Sequence, residues 1–344
     1  MHTIPAILRP CFALTLLFLA AATLAACGDD SADDDRLSIE FMAGFRAQAN
    51  LPFVAAYVAE EQGFFDEVGL DVTIRHATEG EHIRLLLSGD VDLTTQPASE
   101  LLQRRADPGA PLVAVALFGQ RGDLGYAVLE GSGIEKPADF AGKTVGFKVV
   151  VQSEFLALLA AHGLTEDDVE LVSVGFNPVV LVEGQVDVYP VFLSNEPDTL
   201  ERVIDQPAQV RIFEAAQAGV PTLGVAYVVS EDFLTDETKR EALRRFLVAT
   251  TRAHAFAVAD PAAAIESTRA FIPDTADLEH ERFILDTEIA NSISPLTDAN
   301  GLGWFTLKQF QELHDVLVEF GGIEEPIDVE AAIDRSILEA VYAN

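Results

Sequence analysis

Basic residues are scarce in this chain: 22 lysines and arginines stand against 56 aspartates and glutamates over 344 residues, a formal net charge of −34 at pH 7. Such a surface repels phosphate backbones and anionic headgroups, so we expect no nucleic-acid partner. The charge does not identify a cationic ligand, because an acidic surface usually serves solubility. Hydrophobic residues make up 49% of the chain, which is ample for buried cores, and the length suggests about two domains.

Cysteine is scarcer still, with Cys11 and Cys27 alone. Cys11 lies in an uncharged apolar run after Arg9, which is typical of a signal-peptide core and too short for a membrane span. The run ends in the letters LAA before Cys27, which resembles the lipobox of bacterial lipoproteins. We therefore expect residues 1–26 to be a lipoprotein signal peptide and Cys27 to carry lipid, with a plain signal peptide as the alternative. No thiol is then left for disulfides, thiol catalysis or metal ligation.

Motifs for catalysis and for metal binding are missing as well. The seven histidines form no i, i+4 pair and no HExxH motif, and no serine lies in a GxSxG motif. The letters GKT from Gly142 lack the first glycine of a phosphate loop. Asp90 and Asp92 could be paired carboxylates for acid–base work, but a turn and a strand end explain them better. We expect no enzyme, no cofactor and no metal site.

Behind the signal, residues 27–35 carry dense negative charge and are predicted to be a solvated tether. Strands and helices then alternate over the first two thirds of the chain, and the last third is mainly helical. This alternation with short loops predicts an α/β protein with parallel, doubly wound sheets. Ligands of such sheets lie beyond the carboxyl ends of the strands.

The first of these units has a strand from Leu37, a polar loop over 44–50 and a helix that begins at Leu51 or Pro52, where proline is tolerated. Free N–H groups and the positive end of the helix dipole would point into the loop, which makes the helix start a natural ligand site. An ordinary βαβ unit without a ligand is the alternative.

Several loops that follow predicted strands offer side chains that can form hydrogen bonds or stack on a ring. From these loops we take the candidate ligand-binding residues Phe45, Gln48, Asn50, Leu51, Gln96, Ser99, Phe118, Gln120, Gln152, Tyr189, Asn195 and Glu196. Two interpretations of Glu196 remain open. It caps a helix without touching a ligand, or it accepts hydrogen bonds from amino or hydroxyl groups of a solute.

Segments spread over most of the chain together resemble a known family of proteins. They are YVAEEQGFF (57–65) with GLDV (69–72), LSGDVDL (87–93), KPADFAGKTVG (136–146), GQVDVY (184–189) and NEP (195–197). Their order and spacing are similar to those of the periplasmic substrate-binding proteins of ABC importers, in the family with sulfonate-, taurine-, nitrate- and thiamine-pyrimidine-binding members.

The resemblance implies a type II periplasmic binding protein, with two doubly wound lobes, a hinge, a ligand cleft and a helical C-terminal region. Lobe 1 would comprise residues 36–124 and 225–344, and lobe 2 residues 125–224. Closure of the lobes around a small-molecule solute would expose a surface that a permease reads. The expected protein is a monomer, lipid-anchored to the cell membrane on its extracytoplasmic side, with ABC permease and ATPase subunits as partners.

The loop chemistry also bears on the solute. Aromatic and amide-bearing loops suit a flat, neutral heteroaromatic, which within the family describes riboflavin and thiamine-pyrimidine binders. Sulfonate, taurine or nitrate would need anion-coordinating donors, whereas Arg46, Arg121 and Lys148 are scattered and Glu154 and Glu196 lie on the same loops. The opening letters GFRAQAN differ from the Trp-x-Pro-Asn opening usual in pyrimidine binders. Riboflavin is the leading expectation, with pyrimidine precursors and sulfonate, taurine or nitrate as alternatives.

Overall fold

The computed structural model describes residues 36–78, 80–203 and 205–343. The predicted signal peptide, the acidic tether and Cys27 lie outside the described residues. The described residues from 37 onward cluster as one compact unit. In the described part of the chain, no helix combines the length and the apolar character that crossing a membrane requires.

Strands and helices alternate up to residue 230, and helices follow, as predicted. The strands of the described ranges are β1 (Leu37–Ala43), β2 (Leu70–His76), β3 (Leu93–Pro97), β4 (Leu112–Leu117), β5 (Leu124–Leu129), β6 (Thr144–Phe147), β7 (Glu170–Ser173), β8 (Tyr189–Phe192), β9 (Val210–Glu214) and β10 (Val225–Ser230). The α-helices are α1 (Leu51–Glu61), α2 (Phe64–Glu67), α3 (His82–Ser88), α4 (Ala98–Ala106), α5 (Ser153–Ala161), α6 (Val179–Val182), α7 (Glu196–Asp198), α8 (Glu237–Ala259), α9 (Pro261–Thr268), α10 (Leu278–Ser292), α11 (Pro295–Asn300), α12 (Leu307–Glu319) and α13 (Ser336–Tyr342).

The largest sheet has five strands in the order β2-β1-β3-β10-β4. β1 runs parallel to β2 and β3, as predicted for βα units. β10 is antiparallel to both of its neighbours, so the expectation of purely parallel strands is wrong here. The reason is where β10 enters: Val225 pairs with Pro97, at the carboxyl end of β3, and the strand can only run back from there.

The core beside this sheet joins the two ends of the described chain. Phe41 of β1, Tyr227 of β10 and Phe246 of α8 are buried, with ring centroids 5.3–5.6 Å apart. Such tilted aromatic contacts stabilise a core beyond the area that they bury. The Tyr227 hydroxyl donates to the carbonyl of Pro52 at 2.6 Å, which fixes the start of α1 against the sheet.

Residues 124–214 build two further sheets. β5 is the centre of an antiparallel three-stranded sheet with β8 and β9, and β6 pairs in parallel with β7. A bridge between Val145 and Val188 links the two sheets. Their apolar side chains form separate core clusters, drawn mainly from residues 126–220.

The chain crosses between the five-stranded and the three-stranded sheet twice, before β5 and after β9. Gly119 and Gly224 touch where these segments meet: a Cβ built on Gly119 would lie 2.6 Å from the Cα of Gly224. The N–H of Gly224 donates to the carbonyl of Gly119 at 2.9 Å. Any side chain at either position would force the two segments apart.

Candidate functional site

The loop between β1 and α1 is held by two carboxylates of α10. Glu281 accepts the N–H of Ala49 at 2.6 Å, and Glu288 accepts the N–H of Leu51 at 2.5 Å and the side-chain amide of Asn50. At this helix start the N–H groups of Ala49 and Leu51 are therefore hydrogen-bonded to the chain's own acids, and those of Phe53 and Val54 donate to the carbonyl of Asn50. The positive end of α1 is already occupied by negative or polar groups.

Two acids near this loop, Glu288 and Asp123, have raised pKa values. Burial raises the pKa of the Glu288 carboxyl to about 8, with a further rise from nearby Asp123, against the hydrogen bonds from Asn50 and Leu51. The pKa of Asp123 rises to about 7 for the same main reason, although the Ser194 hydroxyl donates to it at 2.6 Å. Both groups therefore change protonation near neutral pH.

The other candidates on this loop differ in exposure. Phe45 is 53% exposed, and the guanidinium of Arg46 lies 5.4 Å from its ring centroid. Gln48 is half-buried and donates to the side-chain oxygen of Asn50. Phe45 is thus the side chain of this group that presents an apolar face to solvent.

Gln96, in β3, takes part in a small polar network. Gln96 is buried and is hydrogen-bonded to the Nε2 atom of His82 at 2.9 Å, and its amide donates to Glu100. Ser99 is half-buried in the first turn of α4. Gln96 thus links the starts of α3 and α4 rather than facing solvent.

Phe118 and Gln120 are buried against the last third of the chain. The Phe118 ring stacks on His254 with a centroid distance of 5.1 Å. The Gln120 amide donates to the carbonyl of Trp304 at 2.9 Å, and its oxygen accepts from Ser294 and Gln309. Both side chains therefore contact other parts of the protein and stabilise its packing.

Two of the remaining candidates, Tyr189 and Glu196, lie beside Lys148, which follows β6. We call Lys148, Glu196, Phe176, Tyr189 and Phe192 the Lys148 cluster. The lysine forms a buried ion pair with Glu196, and its Nζ atom lies 5.4, 5.1 and 4.7 Å from the ring centroids of Phe176, Tyr189 and Phe192. A cation over several ring faces is stabilised by the ring quadrupoles. Burial lowers the pKa of Lys148, and Glu196 opposes that shift.

Two rings of the Lys148 cluster face outward. Phe176 is 64% exposed and Phe192 is 42% exposed, whereas Tyr189 is buried with its hydroxyl donating to the carbonyl of Gly175. The residue after the lysine, Val149, adopts a φ of 56° and is exposed. Left-handed backbone at a β-branched residue is strained and concentrates at functional sites.

Glu196 combines a local contact with the ion pair. β8 ends at Phe192, whose N–H donates to the second carboxylate oxygen of Glu196 at 2.7 Å. The Asn195 side chain makes no capping bond to α7. Gln152, which precedes α5, is half-buried and forms no side-chain hydrogen bond with the described residues.

Residues near α7 also contact α10, and we call this the α7–α10 contact. The imidazole of His280 lies 2.9 Å from the Asn195 oxygen and 2.6 Å from Asp198, and Arg202 joins Asp198 to Asp277. Burial would raise the pKa of Asp198, but hydrogen bonds from Arg202 and His280 bring it below its usual range. The contact brings the end of β8 close to the helix that carries Glu281 and Glu288.

Sequence reasoning missed several of these residues. Phe192 is the last residue of β8 and Phe176 follows β7, and the only signal in the sequence was their aromatic side chains. Glu281 and Glu288 lie seven residues apart on one helix face, but nothing local in the sequence tells which face meets the distant 44–50 loop. No group of three or more histidine, cysteine, aspartate or glutamate side chains among the described residues is arranged to hold a metal ion.

The profile of a family described as NMT1/THI5 like matches residues 50–264, more than half of the chain. The chain belongs to the NMT1/THI5-like family. Within it, the chain is 28% identical over 300 residues to the riboflavin-binding protein RibY of Chloroflexus aurantiacus, covering 84% of this chain and 83% of that protein. It is 27% identical over 335 residues to the formylaminopyrimidine-binding protein of Halalkalibacterium halodurans, covering 93% of this chain and 97% of the relative.

A solved structure gives the fold. The periplasmic aliphatic sulphonate binding protein SsuA from Escherichia coli aligns with a TM-score of 0.62 at 15% identity, over 87% of this chain and 92% of that one. The chain therefore has the periplasmic-binding-protein fold, and the predicted fold class and family are confirmed.

Proposed function

We propose that this NMT1/THI5-like protein is the substrate-binding lipoprotein of an ABC importer and that its solute is riboflavin. The observation that carries the proposal is the Lys148 cluster, in which Phe176 and Phe192 are exposed around a buried ion pair. Exposed ring faces favour stacking by a flat aromatic molecule, and a polar pair below them can orient it. The relation to RibY supports the same solute.

The charges of the site argue against an inorganic or sulfonate anion. The start of α1 is hydrogen-bonded to Glu281 and Glu288, and Lys148 is neutralised by Glu196. An anion that needs donors would find the N–H groups of Ala49 and Leu51 already bonded to the oxygen atoms of these acids. Sulfonate, taurine and nitrate are for this reason not favoured, although the fold is shared with a sulphonate-binding protein.

We propose further that residues 36–124 with 225–344 form lobe 1 and residues 125–224 form lobe 2. Separate apolar cores on either side of the crossing support this division. The hinge would lie where Gly119 meets Gly224, and the solute would lie between the Lys148 cluster and the loop that carries Phe45. A monomer, lipidated at Cys27 and held outside the cytoplasm, would present the closed form to an ABC permease and its ATPase.

A formylaminopyrimidine is the second candidate. Two carboxyl groups on α10, those of the buried Glu281 and the half-buried Glu288, could accept hydrogen bonds from amino groups of such a ring. The relation to the Halalkalibacterium halodurans protein supports it.

A thermal-shift panel tests the proposal, with riboflavin, formylaminopyrimidine, hydroxymethylpyrimidine, taurine, an aliphatic sulfonate and nitrate. A solute at about 100 times its Kd stabilises the native state by about 2.7 kcal/mol, so riboflavin should raise the Tm and be recovered chemically unchanged. Phe176→Ala and Phe192→Ala should each weaken riboflavin binding about 2- to 10-fold, because a ring contact is lost. Flavin fluorescence quenching measures the Kd.

Leu87→Ala is the matched control, because Leu87 is an exposed apolar residue on α3, and its Kd should equal that of the unchanged protein. A Tm that rises with an anion and not with riboflavin would contradict the proposal. Release of a modified flavin would indicate an enzyme instead.

A further inference from the structure

The polar pair of the Lys148 cluster has unused hydrogen-bonding capacity. The side chains of Lys148 and Glu196 are only 8% and 3% exposed. Within the described part of the chain, the ammonium is hydrogen-bonded to Glu196 and to no other acceptor, and the carboxylate accepts from Lys148 and from the N–H of Phe192. An ammonium has three donors and a carboxylate about four acceptor positions, so each group can make about two more hydrogen bonds.

The free positions lie next to each other. Because the Nζ and Oε1 atoms are in direct contact, a ligand edge that reaches this pair meets a donor and an acceptor side by side. The matching ligand group has an acceptor and an N–H on adjacent positions of a flat ring. The imide edge of a flavin has a carbonyl oxygen beside an N–H and is of this kind, whereas sulfonate and nitrate offer acceptors only.

We infer that Lys148 and Glu196 act as one donor–acceptor pair that recognises an acceptor beside an N–H on a stacked heterocycle, Lys148 donating to the acceptor and Glu196 accepting the N–H. Lys148 is then a specificity-determining residue that no local motif marks. This inference rests on the proposed function, since it assigns the polar end of the same ligand site. The rings of Phe176 and Phe192 hold the face of the heterocycle, and the pair fixes its edge.

The test compares riboflavin with N3-methylriboflavin, which keeps both imide carbonyls and lacks the N–H. The unchanged protein should bind the methylated flavin about 10- to 100-fold more weakly, the effect of losing a hydrogen bond to a charged acceptor. Because the protein is the same in both measurements, its folding does not affect the ratio. Equal affinity for the two flavins would overturn the inference and leave the proposed function standing.

Two variants separate the roles of the pair. Glu196→Gln should bring the ratio of the two affinities to within about threefold, because the charged acceptor of the N–H is gone. Lys148→Met should weaken both flavins by a similar factor and leave the ratio, because both retain the carbonyl. Leu87→Ala should keep both affinities. A Lys148→Met protein with unchanged riboflavin affinity would remove Lys148 from the assignment.

Failure of the proposed function gives a different result. If riboflavin does not bind and formylaminopyrimidine does, riboflavin is wrong as the solute. The same pair can then be examined on that ring, where Lys148→Met should weaken binding at least tenfold. Binding of neither solute to the unchanged protein would overturn both proposals.

Discussion

Two acidic residues of this site, Glu288 and Glu196, differ in the groups that contact their carboxyl oxygens. Glu288 has no charged partner among its described hydrogen bonds, since it accepts from the amide of Asn50 and the backbone of Leu51. Glu196, by contrast, faces the ammonium of Lys148. Glu196 is thus buried beside a cation, whereas Glu288 is half-buried and hydrogen-bonded to uncharged groups.

Glu288 should make stability depend on pH. Its pKa of about 8 lies above the ordinary 4.5, so the folded protein binds this proton more tightly than the unfolded chain. The contribution is complete below about pH 4.5 and is lost as pH rises through about 8, with a slope of at most about 1.4 kcal/mol per pH unit. Glu288→Gln should remove this part of the slope, as measured by urea unfolding at about pH 5, 6.5 and 8.

The exposed Glu319 supplies the control for that measurement. Glu319→Gln should leave the dependence of the unfolding free energy on pH as it is. If Glu288→Gln and the unchanged protein lose stability in parallel between pH 5 and 8, Glu288 is not the titrating group.

At the scale of elements, the order of strands and helices could be read from the sequence because periodicity and glycine punctuation are local. The start of α1 could be predicted from Pro52, and β1 and β2 could be predicted from the alternation of apolar and polar residues in their sequences. The position and direction of β10 in the five-stranded sheet could not be predicted, since they depend on where the chain returns from the two sheets built by residues 124–214. The exposure of the Phe176 and Phe192 rings could not be predicted from the sequence either, because tertiary packing decides which side chains are exposed.

The crossing of Gly119 and Gly224 can be tested by adding one methyl group. Gly119→Ala should lower the unfolding free energy by about 1–3 kcal/mol, because the new Cβ would lie 2.6 Å from the Cα of Gly224 and backbone must shift. Gly175→Ala is the control, since a Cβ there meets nothing within 4 Å. Thermal unfolding of both variants gives the comparison, and equal stabilities would show that the crossing tolerates separation.

For the whole molecule, motifs spread along the sequence predicted both family and fold, because each marks a turn or strand end that the fold requires. The partners of individual cleft residues could not be predicted. Gln120, chosen for its amide, uses that amide on Trp304 and Ser294. A polar side chain in a loop can serve the ligand or the scaffold, and composition does not separate the two.

The proposed lipid anchor is a prediction about the whole molecule in the cell. Cys27→Ser should move the protein from the membrane fraction to the soluble extracytoplasmic fraction, because the acceptor sulfur is lost. Cys11→Ser should leave it in the membrane fraction, since Cys11 would be removed with the signal peptide. Cell fractionation with mass spectrometry of the N-terminal peptide gives the answer, and a Cys27→Ser protein that stays membrane-bound would contradict lipidation.

The acidic side chains at the start of α1 affect the competition between solutes for this position. Inorganic anions such as sulfate and phosphate would otherwise be attracted to a helix start of this kind. Here Glu281 and Glu288 compete with external anions for the N–H groups of Ala49 and Leu51. Because they are part of the same chain, they act at a high effective concentration. An external anion would have to displace them and so break their hydrogen bonds to Ala49 and Leu51. A scarce neutral solute could therefore be captured from a salt-rich medium without interference at this position.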